Sequence, residues 1–236
     1  MIFGRKRKAE AAQQDAVVEE TQAPVEEPAP SDDPLGEAER QAAEWDAAFD
    51  REEGPFDISE VDLDADDDEV TRLDFGALVA TPFPGMQLQL QVNRENNTVQ
   101  AIMVGDGNSA LEVAVFAAPA KSSMAAEIRA DVIRQTQAQK GRVQLAQGPF
   151  GAELRRAVPV TDAEGKQGMH VSRTWLVSGP GWMLRGVLLG RATFEPDNKE
   201  AQLALFEFFS NLVVRRGASP AVPGSALPMR VPEAEA

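Results

Sequence analysis

The densest chemistry-bearing stretch of the chain is Asp62-Leu63-Asp64-Ala65-Asp66-Asp67-Asp68-Glu69, where Asp62, Asp64 and Asp66 sit at the spacing of the first three ligands of a calcium loop. Such a loop also needs glycine at its sixth position for a sharp turn and a bidentate Glu at its twelfth. Those positions hold Asp67 and Leu73, so the run reads as solvated, mutually repelling charge. His170 is the only histidine, which removes multi-His metal sites. Serine hydrolysis would need His170 beside a carboxylate and an exposed serine, and the chain has no Gly-x-Ser-x-Gly turn. Gly105-Asp106-Gly107-Asn108 resembles a phosphate-cradling loop, but a cradle leads from a strand into a helix N-terminus, and here a strand follows. It reads as a hairpin turn. The chain has no Cys, so disulfides, thiolate metal sites and thiol nucleophiles are absent. No catalytic residue, metal ligand or cofactor-binding residue is expected.

Recognition chemistry is better represented. Arg155, Arg156, Arg173, Arg185 and Arg191 fall in segments that read as neighbouring strands, which would set a basic stripe across one sheet face. Trp175 and Trp182, with Arg185, could instead line a small-ligand pocket between a helix and the sheet. In the acidic first third, Trp45 and Phe49 are candidate anchors for the domain or a partner.

Charge is strongly partitioned. Arg5 to Lys8 are four consecutive bases. From Ala9 to Asp74, 24 Asp and Glu face only Arg40, Arg51 and Arg72, an excess of 21 negative charges. From Phe75 onward, 16 Lys and Arg balance 14 Asp and Glu. An excess of this size opposes a phosphate backbone, so direct nucleic-acid binding is not expected. It favours a protein partner with a basic surface. Arg5 to Lys8 could make a weak peripheral contact with an anionic membrane, at about 1 kcal/mol per base. The basic start is not followed by the apolar segment of a signal peptide, and no run of about 20 apolar residues spans a bilayer. With no Cys, the expected location is the cytoplasm.

The elements that must position these residues follow from periodicity. Residues 1–53 read as a basic start and an acidic, largely disordered arm, interrupted by prolines, with a helix over 35–51 that places Ala42, Trp45, Ala48 and Phe49 near one face. Residues 54–74 form an acidic segment along the domain. A single α+β domain occupies 75–217, and a Pro/Ala-rich tail over 218–236 is expected to fray. Within the domain, Met86 to Val92, Thr98 to Val104 and Ala110 to Ala117 are strands. A helix from Ser122 to Gln139 follows, with Ser122 or Ser123 as N-cap. Strands then cover 142–146, 152–160, 168–177 and 182–191, and a last helix covers 197–211. Short connections imply a mainly antiparallel sheet packed with two principal helices. The element order resembles the PsbP/Mog-type sandwich.

Five phrases carry a more specific resemblance: Gly54-Pro55-Phe56-Asp57-Ile58-Ser59-Glu60-Val61, Arg72-Leu73-Asp74-Phe75-Gly76, Gly148-Pro149-Phe150-Gly151-Ala152-Glu153-Leu154-Arg155, Trp182-Met183-Leu184-Arg185-Gly186 and Val214-Arg215-Arg216-Gly217. Together they resemble an actinobacterial family of uncharacterised proteins, domain of unknown function 3710. The resemblance implies that Gly54 to Asp74 belongs with the domain, and it supplies no catalytic residue, ligand or partner. The functional expectation is a non-enzymatic interaction module whose acidic arm recruits a basic partner or covers the domain's own arginines. The alternative is a ligand-binding protein or enzyme built on the Trp175, Trp182 and Arg185 pocket.

Overall fold

The computed structural model describes residues 34–63, 71–95 and 98–232, all within the unit that runs from Asp33 to Ala236. Arg5 to Lys8, the arm as far as residue 33, the acidic run Asp64 to Glu69 and residues 233–236 lie outside the described residues. The elements in chain order are α1 (Pro34–Ala48), β1 (Phe56–Asp57), β2 (Leu73–Asp74), β3 (Leu78–Ala80), β4 (Gln87–Asn93), β5 (Thr98–Gly105), β6 (Ser109–Ala117) and α2 (Ala125–Ala138). They continue as β7 (Arg142–Gly148), β8 (Gly151–Thr161), β9 (Gln167–Gly179), β10 (Trp182–Gly190), α3 (Leu203–Ser210) and β11 (Val213–Val214).

Seven strands form one antiparallel sheet in the order β4-β5-β6-β10-β9-β8-β7. Two meanders build it. The first ends at β6, α2 carries the chain to the far edge, and β7 to β10 return until β10 pairs with β6. Strand alternation sends Leu111, Val113, Val115, Trp175, Val177, Leu184 and Leu188 to one face, where Phe208, Phe209 and Leu212 of the α3 region cover them. A small sheet, in the order β1-β11-β3-β2, adds Leu78, Ala80 and Val214 to the same core. On the opposite face α2 sets Ile128, Val132 and Ile133 against Leu154, Leu176 and Met183. Helices on both faces of a mainly antiparallel sheet make the chain an α+β protein.

Three elements differ from the sequence expectation. The long helix α2 begins at Ala125 with Met124 at its N-cap and no side-chain cap bond, so neither Ser122 nor Ser123 is the N-cap. The last helix begins at Leu203, not near Asp197, because the residues before it close short turns (Asn198 N–H to Glu195 O, Gln202 N–H to Lys199 O). Gln202 is also held by Arg173. Beyond Gly217 the expected fraying is replaced by packing of Gly224 to Arg230. Leu227 and Met229 are buried, and Leu227 N–H bonds Val115 O while Val99 N–H bonds Met229 O. The register of β5 and β6 holds only over Ile102–Gly105 and Ala110–Val113, and the C-terminal segment bridges both strands beyond that point. Two apolar side chains at strand spacing fill the gap.

Gly179 shows how tightly one end of the core is closed. A Cβ there would lie 2.1 Å from the indole ring of Trp182. Gly179→Ala is therefore expected to destabilise by about 1–3 kcal/mol through overpacking. Chemical denaturation with the Trp emission followed in parallel checks it, and a wild-type midpoint would show that the ring moves freely.

Candidate functional site: the arm helix and its arginine clasp

The residues singled out as an arginine stripe do not form one. The register pairs Arg155 with Arg173 on the face that carries Glu153 and Trp175, whereas Arg156 pairs with Ser172 on the face that carries Leu154. Arg185 pairs with Leu176 and Ala114, again on the α2 side. Adjacent residues on a strand point to opposite faces, so Arg155 and Arg156 cannot share a stripe. Arg191 lies past the end of β10 in a short turn, exposed and paired with Glu195 at 2.8 Å.

Each of these arginines has its own setting. Glu153 is 0% exposed and binds Arg173 through Nε at 3.1 Å and Nη2 at 2.7 Å, Arg155 Nε at 2.7 Å and the Trp175 indole N–H at 3.0 Å. The remaining Arg173 nitrogen, Nη1, donates to Gln202 Oε1 at 2.8 Å and Ala192 O at 3.2 Å. On the other face Arg185 lies over the Phe116 ring at 5.2 Å and approaches Glu112 at 3.4 Å. Arg156 donates to Gln139 at 2.7 Å.

The expected pocket at Trp175, Trp182 and Arg185 is also corrected. Trp175 is packed tilted against Phe150 and edge-on against Phe209, at centroid distances of 5.1 and 5.5 Å. Trp182 is buried and donates its indole N–H to Asp57 at 2.7 Å. Arg185 is on the opposite face of the sheet from both rings. Aromatic stacking fills the space a ligand would need.

The family phrases turn out to be clasps around this core. In the first, Asp57 accepts from Ser59 N–H and Trp182, Glu60 accepts from Asp57 N–H, and Arg51 grips Glu60 while lying 5.4 Å from the Trp182 ring centroid. Gly54 has φ +87°, and a Cβ there would meet Ser210 O at 1.9 Å. In the second phrase Asp74 accepts from Gly76 N–H at 2.6 Å and Arg215 at 2.9 Å, which ties it to the fifth.

Burial raises the pKa of Asp57, but the hydroxyl and amide of Ser59, the Trp182 indole and Arg51 outweigh it and hold the carboxyl below its ordinary value. Arg51 does the same for Glu60, and at Asp74 the Gly76 amide and Arg215 overcome desolvation. Groups with lowered native pKa take up protons first in the unfolded chain. Their contribution is complete above the ordinary carboxylate range and is lost as pH falls below about 4 toward the native values. Urea midpoints should therefore be flat above that range and fall below it, with a shallower fall in Asp57→Asn. A midpoint that rose on acidification would contradict the sign.

The arrangement that brings distant charged residues to one accessible place is at α1. Arg129 of α2 is 2% exposed, and both of its carboxylate partners are on α1. Glu39 binds it through Nε at 3.0 and 3.1 Å and Nη2 at 2.5 Å, and Asp46 binds Nη1 at 2.7 Å. The other Asp46 oxygen accepts from Ala152 N–H at 2.8 Å, which locks the helix to β8. Desolvation would lower the Arg129 pKa, but Glu39 and Asp46 raise it, so the guanidinium stays charged. Phe49, one of the two expected anchors, packs edge-on against Phe150 at 5.8 Å. Trp45, the other, is half-buried on α1.

Two clefts run along this seam. One of about 280 Å³ is lined by Asp46, Phe49, Arg51, Ser123, Phe150 and Ser178, and one of about 500 Å³ by Gly36, Glu39, Ala43, Ser123 and Arg129. Their polar side chains are carboxylates, arginines and serine hydroxyls. The seam has the chemistry of a docking joint. Among the described residues no group of three His, Asp or Glu converges to hold a metal, and His170 is exposed on β9 opposite Val158. No helix among them is long and apolar enough to cross a membrane.

Sequence reasoning missed Arg129, Glu153 and Asp57. For Asp57 a signal was present, since Asp57-Ile58-Ser59-Glu60 has the spacing of a capping box. Arg129 offered none, because its partners lie 83 and 90 residues away.

The fold and its clasps define an α+β domain of antiparallel sheet and covering helices. The chain belongs to the family described as protein of unknown function (DUF3710), whose model matches residues 54–236. The match begins at the Gly54 clasp, so α1 and the arm precede it. A comparison with curated proteins gives no match. Among solved structures, the solution structure of cyanobacterial PsbP (CyanoP) from Synechocystis sp. PCC 6803 is similar at a TM-score of 0.36 and 10% identity, covering 61% of this chain and 92% of that one.

Proposed function

We propose that this protein is a non-enzymatic interaction module in which α1 mounts an acidic arm on the domain and the arm recruits a partner with a basic surface. The observation that supports this reading is how the acidic residues are used. On α1, Glu39 and Asp46 are occupied in cis by Arg129. Between Ala9 and Asp33, eight further Asp and Glu occur without one Lys or Arg. A mounted acidic segment raises encounter rate and selects partners by charge. The same excess charge leaves nucleic acid no role. The cytoplasm is the proposed setting, and Arg5 to Lys8 could add a weak, salt-sensitive membrane contact.

The test compares the native chain with a full-length variant whose eight acids between Ala9 and Asp33 become Gln or Asn. Both are cross-linked in native cells and the partners recovered at low and moderate salt. Partners with basic surfaces, lost in the variant and weakened by salt, are the expected result. Identical partner sets would overturn the reading.

A further inference from the structure

We infer that β4 is a self-pairing edge, and that two copies of this chain join there to continue the seven-stranded sheet across a two-fold axis. The two edges of the sheet are treated differently. At β7, α1 packs along the edge pair β7 and β8. At β4, no backbone hydrogen bond among the described residues goes to anything but β5. Alternate amides and carbonyls of Gln87 to Asn93 therefore face outward, with no partner among the described residues.

Proteins protect such edges with Lys, Pro, a bulge or a covering segment. Gln87-Leu88-Gln89-Leu90-Gln91-Val92-Asn93 contains no charge, no Pro and no Gly. The register shift between Gln91 and Val92 comes from an extra residue in β5, since Gln91 pairs with Ala101 and Val92 with Val99. The outer strand stays regular.

The occupant is identified by self-complementarity. An antiparallel pair centred on Leu90 sets Leu90 against Leu90, Leu88 against Val92, Gln89 against Gln91 and Gln87 against Asn93 in the second copy. Every Gln meets an amide and every apolar residue meets an apolar one. A slip of one residue would put each Leu opposite a Gln. On the inner face Leu88 and Leu90 are half-buried against the main core and Val92 is 40% exposed, so the core reaches this edge unfinished. A second copy completes it. The strand itself carries no charged residue to oppose the pairing. A two-fold contact of this kind is isologous and closes at two copies.

The test measures the mass of the full chain by sedimentation and light scattering across its soluble concentration range. The expected mass at high concentration is about twice 25.5 kDa. Two variants of exposed positions read the register. Gln89→Lys with Gln91→Lys places ammonium groups opposite one another and should raise the dissociation constant about tenfold or more. Gln89→Glu with Gln91→Lys places opposite charges together and should keep the dimer. A monomeric native chain, a Lys/Lys variant that still dimerises like the native chain, or a Glu/Lys variant as weak as the Lys/Lys one would each overturn the inference. A native monomer with β4 amides protected from exchange would assign the edge to another segment of the same chain.

Discussion

Glu153→Ala is expected to lower the free energy of unfolding by about 3–5 kcal/mol, seen as a drop in the urea midpoint at unchanged slope. The size follows from what is left behind. Among the described residues Glu153 is the only carboxylate hydrogen-bonded to Arg173, and both side chains are buried. Without it the guanidinium keeps only two neutral acceptors, Gln202 Oε1 and Ala192 O, and the Trp175 N–H loses its acceptor. A buried charge stripped of its partner costs far more than the pair contributes when intact. Pairing the change with Arg173→Met should therefore recover most of the loss, a coupling that a double-mutant cycle reads directly. An unchanged midpoint in Glu153→Ala would mean that water reaches Arg173, contrary to its burial.

That network also shows where sequence reasoning stops. Period-two patterning in Leu88, Leu90 and Val92, and in Leu111, Val113 and Val115, was enough to place both strands within a residue or two and to give an antiparallel α+β fold. Side-chain period also holds the reason the arginine stripe fails, because Arg155 and Arg156 are adjacent on β8. What a local pattern cannot carry is pairing over distance. Arg129 sits in a helix that reads as an ordinary amphipathic one, and its carboxylates come from an acidic region whose composition suggests a solvated arm. Leu227 and Met229 pose the same problem, since their Pro- and Ala-rich surroundings suggest fraying while the gap they fill is made by residues more than 100 positions earlier. In each case the sequence specifies the residue type, and the use of that residue depends on an element brought to it by the fold.

Arg129→Met is expected to release α1 while leaving the sheet intact. Met keeps an apolar stem packed on α2, and the two carboxylates it abandons are partly exposed, so they can be hydrated without cost to the core. Two charge-assisted contacts at about 1.5 kcal/mol each amount to about 3 kcal/mol of docking, or an opened population raised about 100-fold. Once free, a helix of 15 residues is marginal in water, and α1 should lose helicity as well as contact. Trypsin cleavage at Arg40 and Arg51 reports the opening, and the global urea midpoint reports the rest of the fold. Faster cleavage with a nearly unchanged midpoint is the expected pair of results. Unchanged cleavage would mean that the Phe49 contact with Phe150 and the Asp46 bond to Ala152 N–H hold the helix without Arg129. If the clasp is what holds α1, its release has a functional consequence of definite sign. Glu39 and Asp46 would join the acidic residues before them, so the variant should bind a basic partner faster and with a steeper dependence on salt than the native chain.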